Sequence, residues 1–141
     1  MNKNGPIIII EDDKDDQLLI EMIYEKLNYK NELVFLENGE VAIAYLMQMK
    51  KIPFLIISDI NMPKLNGIEL RERVKENTLI NIKCIPYIFL STTASKDMID
   101  NAFILGIQGY FKKPFHPDEM EAMLKTIIEY WKKSHAPGMY M

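Results

Sequence analysis

The sequence predicts an α/β domain, a doubly wound parallel sheet of five strands with five helices. Short apolar runs alternate with amphipathic stretches from one end of the chain to the other, with no internal repeat and no Gly/Ser linker. Ile7 to Ile10, Phe54 to Ile57 and Tyr87 to Leu90 are unbroken apolar runs, the pattern of central parallel strands covered by helices on both faces. Polar residues able to do chemistry then stand where four of the apolar runs end.

Strands are expected at Pro6 to Glu11, Glu32 to Leu36, Phe54 to Asp59, Pro86 to Leu90 and Gly109 to Lys112. Helices are expected at Asp15 to Asn28, Gly39 to Lys51, Gly67 to Asn77, Lys96 to Leu105 and Pro117 to Lys133. The third helix opens on Asn66 with Glu69 three residues on, the spacing of a capping box. In the last helix Met120, Met123, Leu124, Ile127, Ile128 and Trp131 form one apolar stripe of helical period, which predicts packing on the sheet. Residues 1–133 are thus read as one domain. The tail 134–141 carries Pro137 and Gly138, which cannot continue a helix, and is expected to be mobile.

The bulk numbers remove several function classes. A chain of 141 residues has room for one domain, and its 17 Lys and Arg against 20 Asp and Glu give a net charge of -3. That balance offers no basic field to nucleic acid or anionic lipid. No stretch reaches the length of a membrane span or a signal-peptide core. The lone Cys84 sits in an apolar run and reads as a small buried hydrophobe, which suits a reducing cytoplasm. The many methionines read as core filler.

The chemistry collects at strand ends. Glu11 and Asp12 close the first strand, Asp59 closes the third, Ser91 follows the fourth and Lys113 follows the fifth. In an open parallel sheet the binding crevice lies beyond the carboxyl ends of the strands, where the strand order reverses. A 2-1-3-4-5 order would bring Glu11, Asp12 and Asp59 into one pocket. Crowded carboxylates repel one another, and a proton or a divalent cation relieves them. Mg²⁺ suits hard oxygen donors and phosphate oxygens. Lys113 adds a countercharge and Ser91 a hydroxyl donor for a phosphoryl group, while a carboxylate can itself be the phosphoryl acceptor.

Taken in order, Glu11-Asp12 after an apolar run, Asp59-Ile-Asn-Met-Pro with Gly67 eight residues beyond the Asp, Ser91-Thr92 after Phe89-Leu90, and Lys113-Pro114-Phe115 resemble the receiver domain of two-component response regulators. The resemblance runs from about Pro6 to Trp131. It implies a flavodoxin-like receiver fold and a phosphorylation switch. Asp59 would accept a phosphoryl group from a sensor histidine kinase or a phosphotransfer protein. Mg²⁺ would be held by Asp12, Asp59 and the Asn61 main-chain carbonyl, with Glu11 acting through metal-bound water. Lys113 would pair with Asp59 or its phosphate, Ser91 would bond the phosphoryl oxygens, and Tyr110 would be the switch aromatic. Thr92, bulkier than the Ala frequent there, bears on the lifetime of the phosphorylated state. The Lys113-Pro114 peptide bond would be cis. The ending Ile127 to Trp131 is weakly similar to receivers associated with phytochromes and hybrid kinases.

The same residues have plainer readings. Asp13, Asp15 and Asp16 suit the first turn of a helix, where carboxylates favour the positive end of the dipole, and their spacing matches no calcium loop. His116 and His135 read as surface residues. Alternative functions are a relay intermediate handing the phosphoryl group to a phosphotransfer protein, a phosphatase of the haloacid-dehalogenase type, and a flavodoxin-like cofactor binder. Asp59-Ile60-Asn61 lacks the second Asp of that phosphatase family, and Glu11-Asp12-Asp13 would repel a bare phosphate. A switch that is not an enzyme, slowly removing its own phosphoryl group, is the expectation. Output is expected through the face of the fourth helix, fifth strand and fifth helix, toward a downstream protein or a second copy in a homodimer. On a helical projection Ile99, Ala102, Phe103 and Gly106 point to the sheet, Ile104 points to solvent, and Met98 and Leu105 flank them.

Overall fold

The computed structural model describes residues 1–77 and 85–135, so the readings of Cys84 and of 136–141 lie outside it. Among the described residues the elements run β1 (Ile7–Ile10), α1 (Lys14–Leu27), β2 (Leu33–Leu36), α2 (Gly39–Gln48), β3 (Leu55–Asp59), α3 (Gly67–Glu76), β4 (Tyr87–Ser91), α4 (Lys96–Ile104), β5 (Gly109–Lys112) and α5 (Pro117–Lys133). All strand pairings are parallel, in the order β2-β1-β3-β4-β5. Both the alternation and the order are as expected, and the element ends fall within a few residues of the sequence reading.

The unbroken apolar runs have the use anticipated for them, because side chains alternate across a strand and both faces need cover. Ile8, Ile10, Ile56, Tyr87 and Phe89 face one way and pack with Ala42, Leu46, Leu70, Val74 and Ala102 of α2, α3 and α4. Ile7, Ile9, Leu55, Ile57, Ile88 and Leu90 face the other way, against Ile20, Ile23 and Tyr24 of α1 and Met120, Leu124, Ile127 and Ile128 of α5. The α5 stripe is therefore real, with Met123 and Trp131 at its half-buried margin.

Local chemistry fixes the helix ends nearest the carboxyl edge of the sheet. Asp13 caps α1, its Oδ1 accepting from the Asp15 and Asp16 amides at 2.8 and 3.2 Å. At the far end of α1, Asn28 takes the left-handed conformation (φ 59°), which Asn tolerates better than most side chains. Asn66 and Glu69 form the expected capping box on α3. Gly67 is required by contact: a Cβ there would lie 2.3 Å from the Asp59 carbonyl oxygen, so only glycine lets α3 start against the end of β3.

Helix α4 departs from its projection. Ala102 is buried and Ile99 half-buried, but Phe103 is 47% exposed and Gly106 is exposed, while Ile104 is 72% exposed as expected. Each residue turns the helix by about 100°, and with Ala102 its single buried residue α4 has a contact stripe too narrow to reach Phe103. Gly106 lies beyond the helix end at φ 83°. There Arg71 of α3 donates to the Leu105 and Gly106 carbonyls at 3.0 and 3.2 Å, a cation at a helix C-terminus.

Candidate phosphoryl-acceptor and metal site

The strand order places β1 beside β3, with Ile10 opposite Ser58, so the residues following them share one corner of the sheet. Glu11, Asp12 and Asp59 each offer a carboxylate oxygen there, and the three oxygens lie within 4.8 Å of one another. Glu11 is 2% and Asp59 7% exposed, while Asp12 is half-buried at the mouth. Lys113, itself 9% exposed, enters from the end of β5. Its Nζ stands 2.6 Å from Glu11 Oε1, 2.9 Å from Asp16 Oδ2 and 3.5 Å from Asp59 Oδ2.

This geometry is electrostatically strained in a specific way. Burial, reinforced by the Asp59 charge, pushes the Glu11 carboxyl up to about 7, although the Lys113 hydrogen bond opposes it. Burial pulls the Lys113 ammonium down, but its bonds to Glu11 and Asp16 outweigh that and hold its pKa above the usual lysine range. One ammonium among clustered carboxylates leaves an excess of negative charge. A hard divalent cation fits such a donor set, since Mg²⁺ takes oxygen ligands and commonly uses one or two carboxylates.

The loop after β3 shapes the remaining wall. The Asn61 amide approaches Asp59 Oδ1 at 3.4 Å, and the Met62 and Gly67 amides both donate to the Ile60 carbonyl at 3.1 and 2.8 Å. Asn61 is exposed at this turn, two residues beyond Asp59. Across the sheet Asp59 is opposite Leu90, so the buried Ser91 is one step past the acceptor carboxylate. Ser91 Oγ accepts from the Thr93 amide at 3.2 Å, and Thr92 is exposed. Tyr110, half-buried and edge-on to Phe89, donates from its hydroxyl to the Thr93 carbonyl at 2.8 Å.

The structure thus brings together Glu11, Asp12, Asp59 and Lys113, sets Ser91 and Asn61 beside them, and places Thr92 on the loop after β4 and Tyr110 on the adjoining strand β5. His116 and His135 are exposed, as expected. Two expectations are corrected. Among the described residues no peptide bond is cis, so Lys113–Pro114 is trans; an X-Pro bond admits both forms, and the trans form still lets the Lys113 amide donate to the Ser91 carbonyl at 2.7 Å. Asp16 is more than helix decoration, because its carboxylate reaches Lys113 across 97 residues of sequence. Thr93 was also missed: as one hydroxyl residue among several after β4, nothing in its position separated it from Thr92.

An acidic cluster with a buried lysine at the carboxyl edge of a 2-1-3-4-5 sheet is the arrangement of a receiver-type pocket. The chain belongs to the response regulator receiver domain family of two-component signalling, which it matches over residues 7–125. It is 28% identical over 130 residues to the response regulator Rcp1 of Synechocystis sp., covering 89% of this chain and 87% of Rcp1. The probable methanogenesis regulatory protein FilR2 of Methanothrix harundinacea is 26% identical over 129 residues, 89% of this chain and 82% of FilR2. The phosphorylated cyanobacterial phytochrome response regulator RcpA superposes with a TM-score of 0.83 at 29% identity, over 94% of this chain and 96% of RcpA. The Mn²⁺-bound form of Rcp1 superposes with a TM-score of 0.81 at 26% identity, over 96% of this chain and 99% of Rcp1. Among the described residues no helix is long and apolar enough to cross a membrane.

Proposed function

We propose that this receiver is a phosphorylation switch in which Asp59 takes a phosphoryl group from the phosphohistidine of a kinase or phosphotransfer protein. The observation that carries the reading is the joint placement of three carboxylate oxygens within 4.8 Å and the Lys113 ammonium 3.5 Å from Asp59. In the transfer a carboxylate oxygen of Asp59 bonds to phosphorus, the phosphorus–nitrogen bond breaks, and the imidazole leaves with the electron pair. Lys113 supplies a point charge for the phosphoryl oxygens, and the Ser91 hydroxyl can donate to them.

Asp12, Asp59 and the Asn61 carbonyl would hold Mg²⁺, with Glu11 contributing through water. A bound cation would neutralise the carboxylates and the charge on the transferring group. The metal reading is supported by the donor set and by the fact that the similar Rcp1 has been obtained with Mn²⁺ bound. RcpA, likewise, is known in a phosphorylated form. The protein would act as a stoichiometric acceptor in the cytoplasm, with slow loss of its own phosphoryl group, and the exposed Thr92 beside Ser91 would limit access of water. Output runs through α4, β5 and α5, where Ile104 and Phe103 give an exposed apolar surface for a downstream protein or a second copy. Incubation with a small-molecule phosphodonor should add the mass of one phosphoryl group when Mg²⁺ is present and none when it is chelated. Equal labelling under both conditions would remove the metal from the account.

A further inference from the structure

We propose that Asp16 is a positioning residue that competes with the phosphoryl group for Lys113, holding the lysine toward α1 in the resting state. The inference rests on the phosphoryl-acceptor reading of Asp59 and adds a regulatory contact to it.

The distances define the competition. Lys113 makes charge-assisted contacts with Glu11 at 2.6 Å and Asp16 at 2.9 Å, whereas its 3.5 Å separation from Asp59 exceeds the usual length of such a bond. The resting lysine is therefore engaged mainly by residues other than the acceptor. An ammonium has three donors, and moving one fully onto a phosphoryl oxygen at Asp59 draws the head group away from α1.

Asp16 cannot follow. Its backbone is held in the first turn of α1 by the Asp13 cap, at 3.2 Å, and the Gln17 side chain ties the same turn to the Glu11 carbonyl at 2.6 Å. The lysine has a flexible four-carbon stem and the aspartate a short one on a fixed helix, so the lysine is the moving part. Asp16 is also the more solvated partner, its side chain 35% exposed against 3% for Glu11, so water can take up its charge when the lysine leaves. Glu11 has no such outlet. Of the two short contacts, the one to Asp16 is the one that can be given up.

The test uses the whole chain with Mg²⁺ and beryllofluoride, a stable phosphoryl mimic that coordinates a carboxylate oxygen, followed by calorimetry. Asp16→Asn should tighten beryllofluoride binding roughly two- to five-fold, the range of a partly exposed ion pair. Asp15→Asn removes the same charge one residue away and should change binding much less. In a Lys113→Met background, titrated at higher beryllofluoride, Asp16→Asn should have no effect, because the contact being competed for is gone. Unchanged or weaker binding in Asp16→Asn would overturn the proposal. So would equal tightening in Asp15→Asn, or an Asp16→Asn effect that survives without Lys113. If the unsubstituted protein neither binds beryllofluoride nor accepts a phosphoryl group, the acceptor reading itself fails. Normal binding with an unresponsive Asp16 removes only the latch.

Discussion

The two halves of the site are built by different means. At the ends of β1 and β3, the almost fully buried carboxylates of Glu11 and Asp59 converge on the buried Lys113, which reaches them from the end of β5 at 2.6 and 3.5 Å. At the ends of β4 and β5, Ser91 is buried, Thr92 and Thr93 are exposed, and half-buried Tyr110 is tied down by one neutral hydrogen bond to the Thr93 carbonyl. Removing one partner of a buried charged pair costs about 3–5 kcal/mol, whereas a neutral hydrogen bond contributes about 0.5–1.5 kcal/mol. The acidic half is thus the more costly one to break, and it is where the proposed chemistry would sit. On the proposed reading, the hydroxyl half is the part that a change of charge at Asp59 would rearrange, and it adjoins the α4–β5–α5 face.

The largest effect should come from breaking the acidic half at its mouth. Asp12→Ala should weaken Mg²⁺ binding by roughly ten- to hundred-fold in a metal titration, since metal sites lose about this much even when a supporting group is removed. Asp13→Ala should leave Mg²⁺ affinity near its original value and instead cost about 1 kcal/mol in urea denaturation, because Asp13 is spent on capping α1. Equal metal losses in the two variants would mean that the acidic run is not divided between metal and helix as proposed.

That division also marks how far the sequence could be read. Glu11, Asp12, Asp59, Ser91 and Lys113 were legible because each follows an apolar run, and parallel strands bring such ends together whatever lies between. The cap on α1 was legible in kind, as acids before a helix. The Asp16–Lys113 contact was not, because it depends on how α1 docks against the end of β5, and a lone Asp in the first turn carries no trace of that. Phe103 misled for a related reason: helical period gives the direction of a side chain but not the width of the contact stripe, and α4 buries little beyond Ala102. The cis Lys113–Pro114 bond that the resemblance implied was not borne out: the bond is trans, and proline permits both isomers.

A smaller effect is expected in the hydroxyl half. Tyr110→Phe removes the donor to Thr93 and should lower stability by about 0.5–1.5 kcal/mol in urea denaturation, with phosphoryl labelling intact. Loss of labelling in that variant would show that the two halves are not separable. The smallest effect on the fold belongs to the output face. Ile104 is 72% exposed, so Ile104→Lys should change stability by no more than about 0.5 kcal/mol. The same variant should still weaken phosphodonor-dependent association in light scattering or partner pull-down. Unchanged association would move the output surface elsewhere, with α1 and its exposed Leu18 and Met22 the next place to look.

The central claim is that the charge-held half of the site delivers its chemistry through one residue, Asp59. Intact-mass analysis of the protein and its Asp59→Asn variant after treatment with phosphodonor and Mg²⁺ tests this most directly. The account predicts one phosphoryl group, labile to acid and to base as an acyl phosphate is, on the unsubstituted chain and none on the variant. Full labelling of Asp59→Asn would contradict it.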